Sequence, residues 1–305
     1  TYVKNLLSAH YINNIGNFPY TNVDDLKAQA LAADSSYKGN VSFVNYVEGI
    51  YVGYKFYETA ADEGLIDYES SVQYPFGYGL SYTTFDKTMT NFKDNGDTVS
   101  FDVEVTNTGD VAGKDVVEVY YTPPYTNGGI EKASVNLVQF EKTETLEPGK
   151  SQTLYFETAK EDMASYDSDE IKVAGGGYIL EAGEYTISVR SDSHTVIAEE
   201  TFTVDEDIDY STEGRSTDKT APVNVFEDYT QGDFIQLSRA DGFKNAGASW
   251  AAPTAEAAQM SDELRAEVEA NTFGIYDSTK YYNADDKMPT LGADNGLTLF
   301  DLRGV

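Results

Sequence analysis

Asp192-Ser193-His194 sets the three residue types of a nucleophilic triad side by side. A triad needs those groups to converge in space, and neighbours on a strand point to opposite faces, so the tripeptide reads as a surface turn. Asp205-x-Asp207-x-Asp209 opens like a calcium loop. Its sixth position is Tyr210 rather than Gly and its twelfth is Ser216 rather than Glu, which makes it a solvated acidic linker. The two histidines, His10 and His194, lie on unrelated segments and cannot build a multi-histidine metal site. Gly77-x-Gly79 lacks the third glycine of a dinucleotide loop, and Gly175-Gly176-Gly177 opens no helix. With no cysteine, disulfides, thiolate catalysis and cysteine-based zinc sites are all excluded. Asn40-Val41-Ser42 is a glycosylation sequon of a kind common by chance. The 52 acidic residues carry no motif that singles out a catalytic pair, so no catalytic, cofactor-binding or metal residue is assigned and no cofactor is expected.

The bulk numbers narrow the partners. There are 21 Lys and Arg residues against 52 Asp and Glu, for a net charge of -31. Such a field repels nucleic-acid phosphate and anionic lipid, but not a neutral sugar. No apolar run approaches the ~20 residues of a membrane span. A length of 305 residues and 40% hydrophobic content allow two or three domains with real cores. The opening Thr1-Tyr2-Val3 reads as an internal cut in a longer chain.

The elements change character along the chain. Residues 1–45 are polar, with Asn-rich turns near Asn13-Asn14 and a helix expected near Val23–Ala33. Val47, Ile50, Tyr51, Tyr54 and Tyr57 fall at helical spacing, with Gly49 and Gly53 weakening the helix but allowing close packing. An acidic connector is expected from Glu58 to Glu69. From Tyr82 to about Val204 the period is two. Val99, Phe101, Val103 and Val105 alternate with polar residues, as do Val117, Val119 and Tyr121, then Leu154 and Phe156, then Tyr185, Ile187 and Val189, then Phe202 and Val204. Turn signals at Asp94–Asp97, Thr108–Asp110, Asn127–Gly129, Glu147–Lys150 and Glu181–Glu184 separate the runs. About seven strands in about 120 residues is the pattern of an immunoglobulin-like sandwich, and the missing cysteines leave its fibronectin-like form. A polar linker is expected from Asp205 to about Pro222. Beyond it, aromatics without a period (Phe226, Tyr229, Phe234, Phe243, Trp250, Tyr281, Tyr282) suggest a segment wrapping over another domain. A helix is expected over Ser261–Ala270, capped by Ser261.

Between the helical and the alternating parts stands Tyr74-Pro75-Phe76-Gly77-Tyr78-Gly79-Leu80-Ser81-Tyr82-Thr83-Thr84-Phe85. Its aromatics Tyr74, Phe76, Tyr78 and Tyr82 are expected to pack the joint between two domains. This stretch resembles the signature that ends the second domain of glycoside hydrolase family 3, the β-glucosidase and β-xylosidase family. Two further segments resemble the same family. One is Asn45 to Tyr57, where members often carry Arg at the position of Lys55, whose ammonium cannot copy a bidentate guanidinium contact. The other is the sandwich, with Val105-Thr106-Asn107-Thr108-Gly109-Asp110-Val111-Ala112-Gly113, Val116 to Tyr121 and Gly183-Glu184-Tyr185.

The resemblance implies a mainly β chain of three parts. Residues 1–81 are the C-terminal part of an α/β-sandwich domain, 82–206 a fibronectin-III-like β-sandwich, and 207–305 an irregular extension toward a catalytic barrel. Because Asn295 to Val305 looks like the approach to that barrel, a parent of permuted domain order is implied. The implied activity is retaining β-glycoside hydrolysis, which uses two carboxyl groups about 5 Å apart. In the family both lie in parts that match no position here, so this chain is expected to be a non-catalytic scaffold, inactive alone. Its expected partners are a β-linked oligosaccharide or glycoside, met through the parent, and the barrel of the same polypeptide. The competing expectation is a carbohydrate-binding or adhesion module, since immunoglobulin-like sandwiches host many functions.

Overall fold

Alternation of β-branched or aromatic residues with polar ones builds seven strands into two facing sheets. The computed structural model describes residues 1–4, 18–33, 35–36, 41–43, 47–217, 219–222, 236–244, 246 and 254–270. His10, Asn13-Asn14, Asn40, the stretch Asn295–Val305 and all the irregular C-terminal aromatics except Phe243 lie outside the described residues. Contacts divide the chain into two units, Thr1–Phe18 with Phe43–Thr254, and Pro19–Ser42 with Ala255–Val305.

In the first unit, β1 (Tyr2–Val3) pairs antiparallel with β4 (Val72–Tyr74). The two-residue strands β2 (Phe18–Pro19) and β3 (Ser42–Phe43) stand where the chain passes between units. The sandwich follows. Its first sheet has the order β5-β6-β9, formed by Phe85–Asp94, Thr98–Asn107 and Ser151–Ala159. Its second has the order β13-β12-β7-β8, formed by Val196–Val204, Gly183–Arg190, Val116–Thr122 and Asn136–Lys142. Every residue named above for its alternation except Tyr121 is buried in one core, joined by Leu146, Met163 and Leu180. Tyr121 is partly buried against it. Phe101 stacks on Phe156 and Tyr185 on Phe202, each pair with ring centroids 5.4 Å apart. The fold is therefore the expected fibronectin-like sandwich.

A smaller ribbon, β10-β11-β14 (Ser165–Asp167, Gly177–Leu180, Ile208–Asp209), lies beside it in sequence order. This corrects the linker expectation, because Ile208 and Asp209 pair with Leu180 and Ile179. Asp207 is also engaged: it accepts from the Lys172 ammonium and from the Ala182 N–H, each at 2.7 Å.

The helical segment differs from its expected form. Residues 47–50 form a turn, and α2 starts only at Tyr54, running to Asp62. Gly53, at φ 62 and ψ -124, takes a backbone geometry outside the helix, so the regular spacing from Val47 to Tyr57 is interrupted. The supposed acidic connector is largely helical too, as α2 and then α3 (Tyr68–Ser71). Tyr51, Phe56, Tyr57, Ala60, Tyr68 and Val72 share a core with Ala133, Leu237, Phe243 and Ala246. Phe243 sits with its ring centroid 4.8 Å from Tyr51 and 5.2 Å from Phe56.

In the second unit, α1 (Asp24–Ala33) and α4 (Asp262–Ala270) match the two expected helices within a residue. Ser261 Oγ caps α4, accepting from Leu264 N at 3.1 Å. The Asn22 side chain closes a reciprocal pair with the Met260 backbone, accepting from its N–H at 2.8 Å and donating to its carbonyl at 2.9 Å. Arg265 forms an ion pair with Asp25.

Candidate functional site

The densest set of polar and aromatic groups sits where α2 and α3 meet the second sheet. Strand β7 explains why. A strand of a one-sided sheet should expose every second residue, yet Glu118 and Tyr120 are buried as well as Val117 and Val119. Their outer face is covered by the helical segment. Tyr54 of α2 meets the Tyr120 ring edge-on at 6.1 Å and stacks on Phe76 at 4.9 Å, while its hydroxyl accepts from Leu137 N at 2.9 Å. One turn on, Thr59 Oγ1 accepts from Ser134 N at 3.0 Å, and Ser134 Oγ donates to Asp62.

Glu58, on the same helix, is the hub, only 2% exposed. Its Oε1 accepts from the Tyr68 hydroxyl and from Ser193 Oγ, both at 2.6 Å, and its Oε2 lies 2.8 Å from His194 Nδ1. The His194 ring lies flat on Tyr68, with centroids 3.6 Å apart and planes 3° from parallel. Asp192 shapes the turn, its Oδ1 accepting from His194 N at 2.9 Å and Thr195 N at 2.8 Å. Arg190 closes it, donating to Ser193 O at 2.7 Å and to Ser188 Oγ at 2.8 Å. Ser193 N reaches the Phe76 carbonyl at 2.8 Å and so ties the turn to the aromatic signature.

Electrostatics keep the donors as donors. Burial, then the bond to Glu58, pushes the Tyr68 hydroxyl above its ordinary value. Burial and the Glu118 carboxylate do the same to Tyr120, which donates to Glu118 at 2.6 Å. Burial raises Glu118 in turn. Gly77, at φ 87, leaves room for that carboxylate, since a Cβ there would stand 2.3 Å from Glu118 Oε2.

Asp192-Ser193-His194 is a turn, as expected, but only its His194 end is exposed: Ser193 is wholly buried and Asp192 nearly so. It is not a triad. Ser193 and His194 both bond the Glu58 carboxylate, and the serine hydroxyl is spent as a donor where no substrate reaches it. The chemistry available is adhesion between segments distant in sequence. Among the described residues, no group of three His, Asp or Glu is placed to hold a metal ion. Of the four signature aromatics, Phe76 packs at the joint through Tyr54, and Tyr74 and Tyr78 face each other at 5.0 Å while staying 41% and 46% exposed. Tyr82 is 99% exposed, which corrects its expected place in the joint. Glu58, Tyr68, Arg190 and Glu118 were not singled out by the sequence. The one signal pointing to them was the aromatic spacing around Tyr54 and Tyr57.

A second polar centre fixes the end of β6. Asn107 is fully buried and every polar atom of its side chain is used. Its Oδ1 accepts from Thr83 Oγ1 at 2.7 Å and Gly109 N at 3.0 Å, and its Nδ2 donates to Val111 O at 2.9 Å and Leu146 O at 2.8 Å. The Asn107-Thr108-Gly109 turn is therefore a lock between three loops.

Comparison with known proteins agrees with this architecture. A family model for a fibronectin type III-like domain matches residues 115–193. A β-glucosidase of Kluyveromyces marxianus is 37% identical over 183 residues, which is 60% of this chain and 20% of that protein. A β-glucosidase of Ruminococcus albus is 40% identical over 160 residues, 52% of this chain and 16% of that protein. Among solved structures, the glycoside hydrolase family 3 β-glucosidase of Bifidobacterium adolescentis is 31% identical with a TM-score of 0.46, covering 56% of this chain and 23% of that one. The chain thus spans about a fifth of the length of the curated relatives it matches. Over residues 115–193 the chain carries a fibronectin type III-like domain, and over about half of its length it is similar to β-glucosidases.

Proposed function

We propose that this chain is the non-catalytic bracing part of a longer, retaining β-glucosidase-like hydrolase acting on terminal β-linked sugars. In this reading residues 1–81 end an α/β-sandwich domain, 82–206 form the fibronectin-like sandwich, and 207–305 lead toward a catalytic barrel of the same polypeptide. The observation that carries the reading is the Glu58 clasp, in which the one Asp-Ser-His cluster is consumed in joining the helical segment to the sheet. A scaffold needs such a joint, because catalytic groups borne by separate domains must be held in fixed geometry. The fraction of each relative that is matched supports the same reading. The test is turnover of aryl β-glucoside and aryl β-xyloside by this chain and by the longer polypeptide containing it. Hydrolysis by the longer protein alone is expected. Turnover by the purified chain would overturn the scaffold role, and inactivity of both would overturn the hydrolase reading.

A further inference from the structure

The outer face of the first sheet carries a feature that bracing does not use. Two cross-strand rows lie there in register: Thr90, Asp102 and Tyr155, then Lys93, Ser100 and Glu157. A bulge in β5 between Thr90 and Lys93 sets Asn91 at φ 56. Asn91, Lys93, Ser100, Asp102, Tyr155 and Glu157, with Asn95 from the β5–β6 turn, line a hollow of about 510 Å³. The side chains are held in place. Asn91 Nδ2 donates to Asp102 Oδ2 at 2.7 Å, Asn95 Nδ2 to Ser100 Oγ at 2.9 Å, Thr98 Oγ1 to Glu157 Oε1 at 2.9 Å, and the Tyr155 hydroxyl to Glu157 Oε2 at 3.3 Å. Tyr155 nevertheless remains 59% exposed.

We propose that this hollow is a binding site for a neutral oligosaccharide, with Tyr155 as its stacking platform. The lining combines one exposed aromatic ring with carboxylate acceptors and with amide and ammonium donors. Sugars present that alternation in reverse, with polarised C–H faces and rims of hydroxyls that both donate and accept. The electron-rich face of the tyrosine takes the C–H face. Asp102 and Glu157 accept from hydroxyls, since a carboxylate keeps acceptor capacity beyond one bond. Lys93 and the two asparagines donate. Other ligand classes fit less well. Two carboxylates and a net charge of -31 oppose an anion, and no third His, Asp or Glu joins them to make a metal site among the described residues. An apolar ligand would strand the charged lining without partners. The hollow's volume is within the usual range for small-ligand sites, about 300–1,000 Å³. Because it lies on the sandwich itself, the site stands or falls apart from the hydrolase reading.

The test is a titration of the whole 305-residue chain with cellotetraose and xylotetraose, with maltotetraose as a comparison, read by backbone amide shifts and calorimetry. Shifts confined to residues 91–102 and 153–157 are expected. Tyr155→Ala should weaken binding at least about tenfold, a loss of about 1.4 kcal/mol, while Tyr155→Phe stays within about threefold. Tyr82→Ala, which removes an exposed aromatic elsewhere, should bind as the original chain does. Absence of shifts with all three sugars, or unchanged affinity in Tyr155→Ala, would overturn the proposal.

Discussion

Tyr68 and His194 lie ring on ring, 3.6 Å between centroids, and each bonds a different oxygen of the same buried carboxylate, that of Glu58. Two neighbouring helical segments and a turn 135 positions away are thereby fixed to one atom group. A buried carboxylate with three partners holds only while all three are present, because each lost partner leaves a desolvated group unpaired.

Glu58→Ala should therefore destabilise the first unit by about 3 kcal/mol, and Glu58→Gln by less, because an amide still accepts through one oxygen. Urea unfolding followed by tyrosine fluorescence checks this. The loss should be shared with Ser193→Ala in a double-mutant cycle, so that the two changes together cost less than their sum.

Asn107→Ala strips two acceptors' worth and two donors' worth of contact from a site sealed from water. The expected loss is about 2–3 kcal/mol. Asn107→Asp should fail nearly as badly, since a carboxylate cannot donate to the Val111 and Leu146 carbonyls and places a charge beside them. Thermal unfolding of both variants distinguishes loss of geometry from loss of donors.

Acid should loosen the loop after β10. Burial works against ionisation of Asp167, but N–H donors from Lys172, Val173 and Ile171 outweigh it and hold its pKa below the ordinary 3.8. A carboxylate with a depressed folded-state value contributes stability that is complete above the ordinary value and is lost as pH falls through the lower one. Protection of the Ile171–Val173 amides, relative to their intrinsic exchange rate, should therefore fall below about pH 4, and Asp167→Asn should show low protection already at neutral pH.

Two aromatics of one signature should behave oppositely. Phe76→Ala removes the ring stacked on Tyr54 and should cost about 1 kcal/mol. Tyr82→Ala alters a side chain in open solvent and should stay within about 0.5 kcal/mol. Equal effects in chemical denaturation would contradict the difference in packing.

The sandwich was readable in the sequence because one face of each strand is apolar, and Val99 through Val105 announce it with period two. What covers the other face was not. Glu118 and Tyr120 occupy positions that a one-sided sheet would expose, and partners distant in sequence, among them Tyr54, Gly77 and Arg190, cover them. Glu58 looks in sequence like any acidic surface residue, because burial of a charge depends on partners 10 and 135 positions away. Gly53 misled for the opposite reason: spacing alone carries a helix through it, while its backbone geometry ends the pattern. Ile208-Asp209 lay within a polar run whose pairing to β11 no local signal carries.

The loop from Gly77 to Thr83 joins the helical segment to the sandwich, yet Leu80 and Tyr82 stand almost wholly in solvent. The parts it links are gripped elsewhere, by the Glu58 carboxylate and by the Ser193 N–H on the Phe76 carbonyl. Covalent continuity there supplies connection rather than adhesion. Two separately made polypeptides divided at this loop would carry complementary halves of one lock.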